Sequence, residues 1–338
     1  MKKIPKSEIR NPKFCNERGV ALVMVLWIFM FLFVMAFSFS FAVREEGLTA
    51  HRYVEESEAY YLALAGFEDG LYRLLSNPPG AQRVRPAGPS TQDQEVFDGT
   101  WREANLGEGV YRVRLVDEGG KVNLNRASEE VLRRVLSNLG IEQPLRDILV
   151  DSILDWRDDD NLHRASGAEN DYYLSLVLPY TARNGPFDTI EELLWIRGVT
   201  PELYHGGVNH PQEGASSQVG LKEIFTVDSA TDRVNLRTSS AEVIHAVLGI
   251  PIEKARSFVE ERRKLSEKTL ADLLRLLGIS QADSAMRLFV FSNPSIVAIE
   301  AAGRRGNSAV ERRVKGVVRL IGGSRGYNVM RWVDRDAG

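Results

Sequence analysis

The chain has 338 residues, 43% hydrophobic and 26% charged, with a formal net charge of -3. That is enough apolar material for two modest domains or one domain with an insertion, and too little basic excess for a chain-wide nucleic-acid clamp. A single cysteine, Cys15, excludes an intrachain disulfide framework and a thiolate zinc cluster.

Charge is distributed unevenly at the N-terminus. Lys2, Lys3, Lys6, Arg10, Lys13 and Arg18 stand against Glu8 and Glu17, and then nothing is charged from Val20 to Val43. About 24 helical residues at 1.5 Å each span roughly 36 Å, enough to cross a bilayer with some tilt. The basic excess in front predicts a cytoplasmic N-terminus with the rest of the chain outside. A removed signal peptide would have a shorter apolar core closed by an A-x-A pattern, which is absent, so a single-pass anchor is favoured.

From Arg44 to Ser76 helical periodicity continues through Tyr53, Tyr60, Tyr61, Leu64, Phe67, Leu71, Leu74 and Leu75, until Asn77-Pro78-Pro79-Gly80 ends it. Gly47, Gly66 and Gly70 are expected to weaken the helix locally. A basic leader ending in Arg18-Gly19, an uninterrupted apolar helix and an amphipathic continuation together resemble the N-terminus of the type IV pilin-like family. The resemblance implies cleavage by a prepilin peptidase between Gly19 and Val20. Members usually carry a glutamate at the fifth mature position, and here that position is Met24. The large minor pseudopilins of type II secretion systems typically lack that glutamate, so the departure narrows the resemblance to them.

Residues 77–93 read as a Pro/Gly-rich loop. Strands are expected over Gln94–Ala104 and Gly109–Asp117, joined by the turn Leu106-Gly107-Glu108-Gly109. An internal repeat follows. Lys121-Val122-Asn123-Leu124 leads through Ser128 into Glu130-Val131-Leu132, and Arg233-Val234-Asn235-Leu236 leads through Ser240 into Glu242-Val243-Ile244. Ser128 and Ser240 are natural N-caps. Leu139-Gly140-Ile141 pairs with Leu248-Gly249-Ile250, and Thr189–Leu194 before Gly198 pairs with Thr269–Leu274 before Gly278. Each unit reads as short helices joined by apolar-Gly-apolar turns, close to helix-hairpin-helix, with an extra loop in the first from about Arg157 to Asp188. Strands return over Ser295–Ala302, Val310–Ile321 and Tyr327–Val333, with turns at 303–307 and 322–324. Arg304, Arg305, Arg312, Arg313 and Lys315 are expected on a solvated strand edge, with an acidic partner surface as the alternative.

The expected fold is therefore α+β: a long N-terminal pilin-like helix packed on a small antiparallel sheet, with an inserted all-α domain of two helix-hairpin-helix-like (SAM-like) repeats. The expected boundaries are leader 1–19, membrane part 20–43 and amphipathic helix 44–76. The sheet follows at 77–120 and 291–338, around an insertion at 121–290 whose repeats run about 121–200 and 233–290. Nearly the whole chain fits the pseudopilin resemblance.

Candidate chemistry is sparse. Asp155, Asp158, Asp159 and Asp160, then Glu169 and Asp171, form an acidic loop without EF-hand spacing. Hard cations need six to eight oxygens, which clustered carboxylates and loop carbonyls supply. The resemblance implies calcium there, with Asp155, Asp158, Asp160, Glu169 and Asp171 as candidate ligands; a solvated acidic loop capping helices is the alternative. His51, His163, His205, His210 and His245 show no H-E-x-x-H spacing, and no G-x-S-x-G, Walker or dinucleotide fingerprint appears. No enzyme activity is expected. The hairpins each carry one glycine with mixed charges around it, so nucleic acid is not the expected partner.

The resemblance implies a minor pseudopilin at the pseudopilus tip that primes assembly. Its partners would be other minor pseudopilins, the major pseudopilin, the inner-membrane secretion platform and the prepilin peptidase. The location would be the bacterial inner membrane with the globular part periplasmic. The competing class is a membrane-anchored periplasmic DNA-binding protein using its hairpins.

Overall fold

The computed structural model describes residues 18–76, 97, 99–207, 219–264, 269–279, 284–321 and 326–336. Most of the leader with Cys15, the loop 77–93, His210 and the turn 322–324 lie outside the described residues. The chain divides into two units, residues 1–57 and 58–338.

The first unit holds the beginning of helix α1 (Arg18–Ser76). The helix is long and apolar enough to cross a membrane. From Leu22 to Val43 its large apolar side chains are exposed, Met24 at 60% among them. A continuous apolar surface on this scale is incompatible with water and suits lipid.

In the second unit five strands form one antiparallel sheet: β1 (Arg102–Leu106), β2 (Gly109–Asp117), β7 (Ile296–Arg305), β8 (Glu311–Ile321) and β9 (Gly326–Asp336), in the order β1-β2-β7-β8-β9. The expected fold class is borne out: a long helix packed on an antiparallel sheet, with helical segments between β2 and β7. The end of α1 lies on the sheet through Ala63, Phe67, Leu71 and Leu74, which meet Val113, Leu115, Val297, Ile299, Ala301, Val314 and Val318. Tyr53 and Tyr61, expected in the same stripe, are instead 72% and 67% exposed.

Small residues explain that difference. A Cβ on Gly70 would stand 2.9 Å from methyls of Ile299 and Val113, and one on Gly66 would stand 2.9 Å from the Tyr111 ring. Across from them, a Cβ on Gly303 would strike the backbone of Ala59 and Ala63. Gly66 and Gly70, expected only to weaken the helix locally, let it approach the sheet where a larger side chain would hold it off. Phe67 then reaches Trp332 edge-to-face at 4.7 Å.

Between β2 and β7 runs the internal repeat. Its first unit contains β3 (Val122–Asn123), α2 (Glu129–Asn138), α3 (Leu145–Arg157), α4 (Asn170–Leu174), α5 (Pro201–His205), α6 (Leu221–Ile224) and β4 (Phe225–Thr226). Its second contains β5 (Val234–Asn235), α7 (Ala241–Leu248), α8 (Ile252–Lys264), α9 (Leu270–Leu277) and β6 (Phe289–Val290). The two-residue strands pair in parallel, β3 with β4 and β5 with β6. Ser128 and Ser240 cap α2 and α7 by accepting the amides of Val131 and Val243. Gly140, Gly198, Gly249 and Gly278 all take positive φ, between +70° and +87°, as the apolar-Gly-apolar turns require.

The correspondence extends to two arginines. Arg157 donates to the carbonyls of Leu124 and Ala127, and Arg262 to those of Leu236 and Ser239. Each guanidinium satisfies the turn that follows a Val-Asn-Leu strand.

The second face of the sheet carries charge. Glu300 pairs with Arg114 at 2.6 Å and Lys315 at 3.1 Å. Beside it, buried Glu118 accepts from the Thr226 hydroxyl and lies 4.0 Å from Lys121. Arg331 holds Asp228 with two bonds of 3.0 and 3.1 Å. The expectation of a solvated edge for the C-terminal basic run is therefore corrected. β8 lies inside the sheet, and Arg305, Arg313 and Lys315 are neutralised by Glu58 and Glu108, by Glu311 and by Glu300.

Burial alone would raise the Glu300 carboxyl, but Lys315, Arg114 and Lys121 outweigh it and hold it well below its ordinary value of 4.5. An acid depressed in the folded state stabilises fully above its unfolded pKa, and that contribution fades as pH falls towards the folded value. Glu300→Gln is expected to cost about 2–3 kcal/mol near neutrality, because it removes the carboxylate that Arg114 and Lys315 share. The gap between variant and wild type should narrow as pH is lowered from about 5. Thermal unfolding in detergent across that range measures it; a gap independent of pH would contradict the account.

Candidate functional site

The acidic loop is built on the end of α3. Asp151 and Asp155 are buried there, and each uses its carboxylate to hold the following loop. Asp155 accepts the Arg164 amide at 3.1 Å, with the Arg164 guanidinium 3.5 Å away, and Asp151 accepts the Ser166 amide at 3.0 Å. Gly167 passes so close to the Asp155 carboxylate that a Cβ there would overlap it. These bonds turn the loop back so that Glu169, which precedes α4, meets the residues after Arg157.

The result is one cluster. Asp158, Asp160 and Glu169 each bring a carboxylate oxygen within 4.8 Å of the others. Glu169 is 1% exposed. Neither of its carboxylate oxygens has a hydrogen-bond partner among the described residues, and the same holds for Asp158 Oδ1. Asn184 borders the loop. Its Oδ1 is also buried without a partner, while its Nδ2 is tied to the Asp160 carbonyl at 2.5 Å and Asn161 Oδ1 at 3.1 Å.

The cluster is electrostatically unfavourable as it stands. Burial, followed by the charges of Asp155, Asp158, Asp160 and Asp171, pushes Glu169 up to about 7. Burial is also the main cause raising Asp155 to about 6, opposed by the Arg164 amide. Three converging carboxylates, with both Glu169 oxygens and Asp158 Oδ1 lacking donors among the described residues, match the all-oxygen preference of a hard cation.

Of the five expected ligands, the structure gathers Asp158, Asp160 and Glu169. Asp155 is spent on the Arg164 backbone, and Asp171 accepts the Tyr172 amide at 2.8 Å. Gly19 and Val20 fall at the start of α1, and Met24 lies one turn further along. His205 approaches Lys222 at 3.3 Å, and His245 Nδ1 lies 2.6 Å from the Ile250 carbonyl. Both act as local structural contacts.

Comparison with known proteins places this architecture. Residues 113–206 match the family model of type II secretion system (T2SS) protein K, first domain. Type II secretion system protein K of Pectobacterium carotovorum is 37% identical over 75 residues, which is 22% of this chain and 23% of the relative. The corresponding protein of Pseudomonas aeruginosa is 27% identical over 167 residues, 46% of this chain and 45% of its own length. That of Klebsiella pneumoniae is 26% identical over 296 residues, 80% of this chain and 82% of the relative. The match thus spans less than half of the first two relatives and most of the third. The fold is similar to a solved structure from enterotoxigenic Escherichia coli, described as the GspK-GspI-GspJ complex of the type 2 secretion system. The TM-score is 0.63 at 16% identity, covering 86% of this chain and all of that one. The pseudopilin resemblance read from the sequence is borne out, and the chain is a relative of type II secretion system protein K.

Proposed function

We propose that the protein is a minor pseudopilin of a type II secretion system that occupies the pseudopilus tip and primes assembly with other minor pseudopilins. The observation that carries this reading is the large helical segment inserted between two adjacent strands of a sheet packed on a membrane-length helix. Such bulk would obstruct a subunit stacked directly above, whereas at a tip it meets no neighbour. Assembly proceeds by packing of helices, without catalysis.

Met24 supports the same placement. A glutamate in the apolar span is costly in lipid unless a neighbouring subunit's N-terminal amine meets it. A tip subunit has no such neighbour, and methionine packs adaptably in its place.

The partners in this reading are two further minor pseudopilins, equivalent to the GspI and GspJ that accompany GspK in the solved complex. The major pseudopilin and the inner-membrane platform come next in assembly. Co-purification of the full chain with the cognate minor pseudopilins should give a stable ternary complex. Crosslinks from the helical segment to a major subunit stacked above it would overturn the tip position.

Processing between Gly19 and Val20 by a prepilin peptidase would leave the cytoplasmic leader behind and the globular part in the periplasm. N-terminal sequencing of the mature protein is expected to begin at Val20. Any other first residue removes the pilin-like route into the membrane.

Asp158, Asp160 and Glu169 would hold calcium, which supplies the positive charge that this group of carboxylates lacks. Calcium is expected to raise the melting temperature relative to chelator, and Asp158→Asn with Asp160→Asn should abolish the rise. Equal melting curves for the unmodified protein with calcium and with chelator would end the assignment.

A further inference from the structure

The acidic cluster is drawn from separate stretches of chain, and neutral side chains join them. Asp158 and Asp160 follow α3, whereas Glu169 stands just before α4. Glu169 is 1% exposed, and neither of its carboxylate oxygens has a hydrogen-bond partner among the described residues. Three carboxylates with oxygens within 4.8 Å of one another repel, so the two stretches need a tie that stops them spreading.

Each stretch carries an asparagine next to a carboxylate of the cluster. Asn161 follows Asp160, and Asn170 follows Glu169. Asn170 Nδ2 donates to Asn161 Oδ1 at 2.5 Å, and Asn170 Oδ1 accepts the Ala182 amide at 2.8 Å. From that third stretch, Asn184 Nδ2 donates to the Asp160 carbonyl at 2.5 Å and to the same Asn161 Oδ1 at 3.1 Å. Asn161 Oδ1 is thus the acceptor at which all three stretches meet. Asp160 in turn uses Oδ1 to accept the Leu162 amide at 2.7 Å, which orients its own side chain.

Carboxamides suit this task chemically. A lysine or arginine joining the stretches would neutralise the carboxylates and compete with a cation, and a further carboxylate would add to the repulsion. A carboxamide supplies donors and an acceptor with no net charge. It holds the carboxylates together while leaving their charge available to a metal ion.

We infer that Asn161, Asn170 and Asn184 are positioning residues, an uncharged clamp that holds Asp160 and Glu169 at cation-binding distance. The inference rests on the reading of Asp158, Asp160 and Glu169 as a calcium site, and it gives the asparagines no ligand role. Outer residues of this kind typically set metal affinity by about 10- to 100-fold.

Two isosteric substitutions separate the clamp from simple electrostatics, because both add a negative charge beside the site. Asn161→Asp keeps an oxygen for both amide donors, so the clamp survives. Asn170→Asp replaces the donor with an oxygen that faces Asn161 Oδ1, so the clamp opens. Calcium titration calorimetry of the full chain in detergent should show Asn161→Asp binding at least as tightly as the unmodified protein. Asn170→Asp should bind about 10- to 100-fold more weakly, and Asn161→Ala, which removes the shared acceptor, should weaken binding too. Melting temperatures in chelator should stay level across the series. Binding to Asn170→Asp as tight as to the unmodified protein overturns the inference and leaves the calcium site standing. So does loss of binding in Asn161→Asp, or a melting temperature in chelator that falls together with affinity, since either shows the asparagines holding the fold rather than the carboxylate spacing. If the unmodified protein takes up no calcium, the site reading fails and the clamp fails with it.

Discussion

The helical segment leaves the sheet at Asp117 and returns at Ile296, and these ends are neighbours in the ladder, with Asp117 opposite Val297. A body joined to a sheet only through two adjacent strands could swing about them. What resists this is the charge layer on the sheet's second face. Asp117, buried, accepts bonds of 2.7 Å from Asn235 and Thr238, both from the second repeat. Glu118 accepts from Thr226, and Arg331 of β9 grips Asp228. Burying this many charged groups costs several kcal/mol per ion unless every partner is in place. The cost is offset in one arrangement and incurred in others, so the layer selects orientation more than it adds stability.

Internal duplication supplies the frame on which the rest is hung. Asn123 and Asn235 perform one task in both repeats. Each side-chain oxygen accepts an amide two residues on, from Asn125 or Arg237, and each side-chain amide donates to a distant carbonyl, of Ser229 or Ser292. Arg157 and Arg262 close the same turns from α3 and α8. The repeats diverge just after these arginines. In the first, the chain runs on through the acidic loop and α4 before rejoining the pattern at Thr189. The oxygen cluster that suggests function therefore lies in the segment that breaks the internal symmetry.

Periodicity made much of the fold legible. β2 spans the expected Gly109–Asp117, β8 begins within one residue of expectation, and both repeat caps are where serine preceded glutamate. The stripe on α1 was read less well, because spacing rewards large apolar residues, whereas the contact depends on Gly66, Gly70 and Ala63. A glycine that weakens an isolated helix can strengthen a packed one, and a lone sequence does not tell the two apart. The basic run of β8 was misjudged for a related reason. The Glu300 partner of Lys315 comes from strand register, which hydrophobic pattern leaves open. At the candidate site the acidic composition was plain, yet which carboxylates converge depended on Asp151 and Asp155 winding the loop, and on Gly167 giving them room.

Glu169 is the residue before α4, a helix of five residues that ends at Leu174. A buried carboxylate without donors has two ways to lower its energy: take up a proton or bind a cation. Protonation relieves only Glu169 and leaves Asp158 and Asp160 facing each other, while a hard cation engages all three at once. Cation binding would thus fix the start of α4 against the loop, and the helix is too short to bend between its ends. Tyr173, the fourth of its five residues, is buried and packs edge-on against Trp156 at 5.4 Å, which ties the helix to α3. Charge compensation at Glu169 and the packing of Tyr173 on Trp156 would thus act on the same short helix.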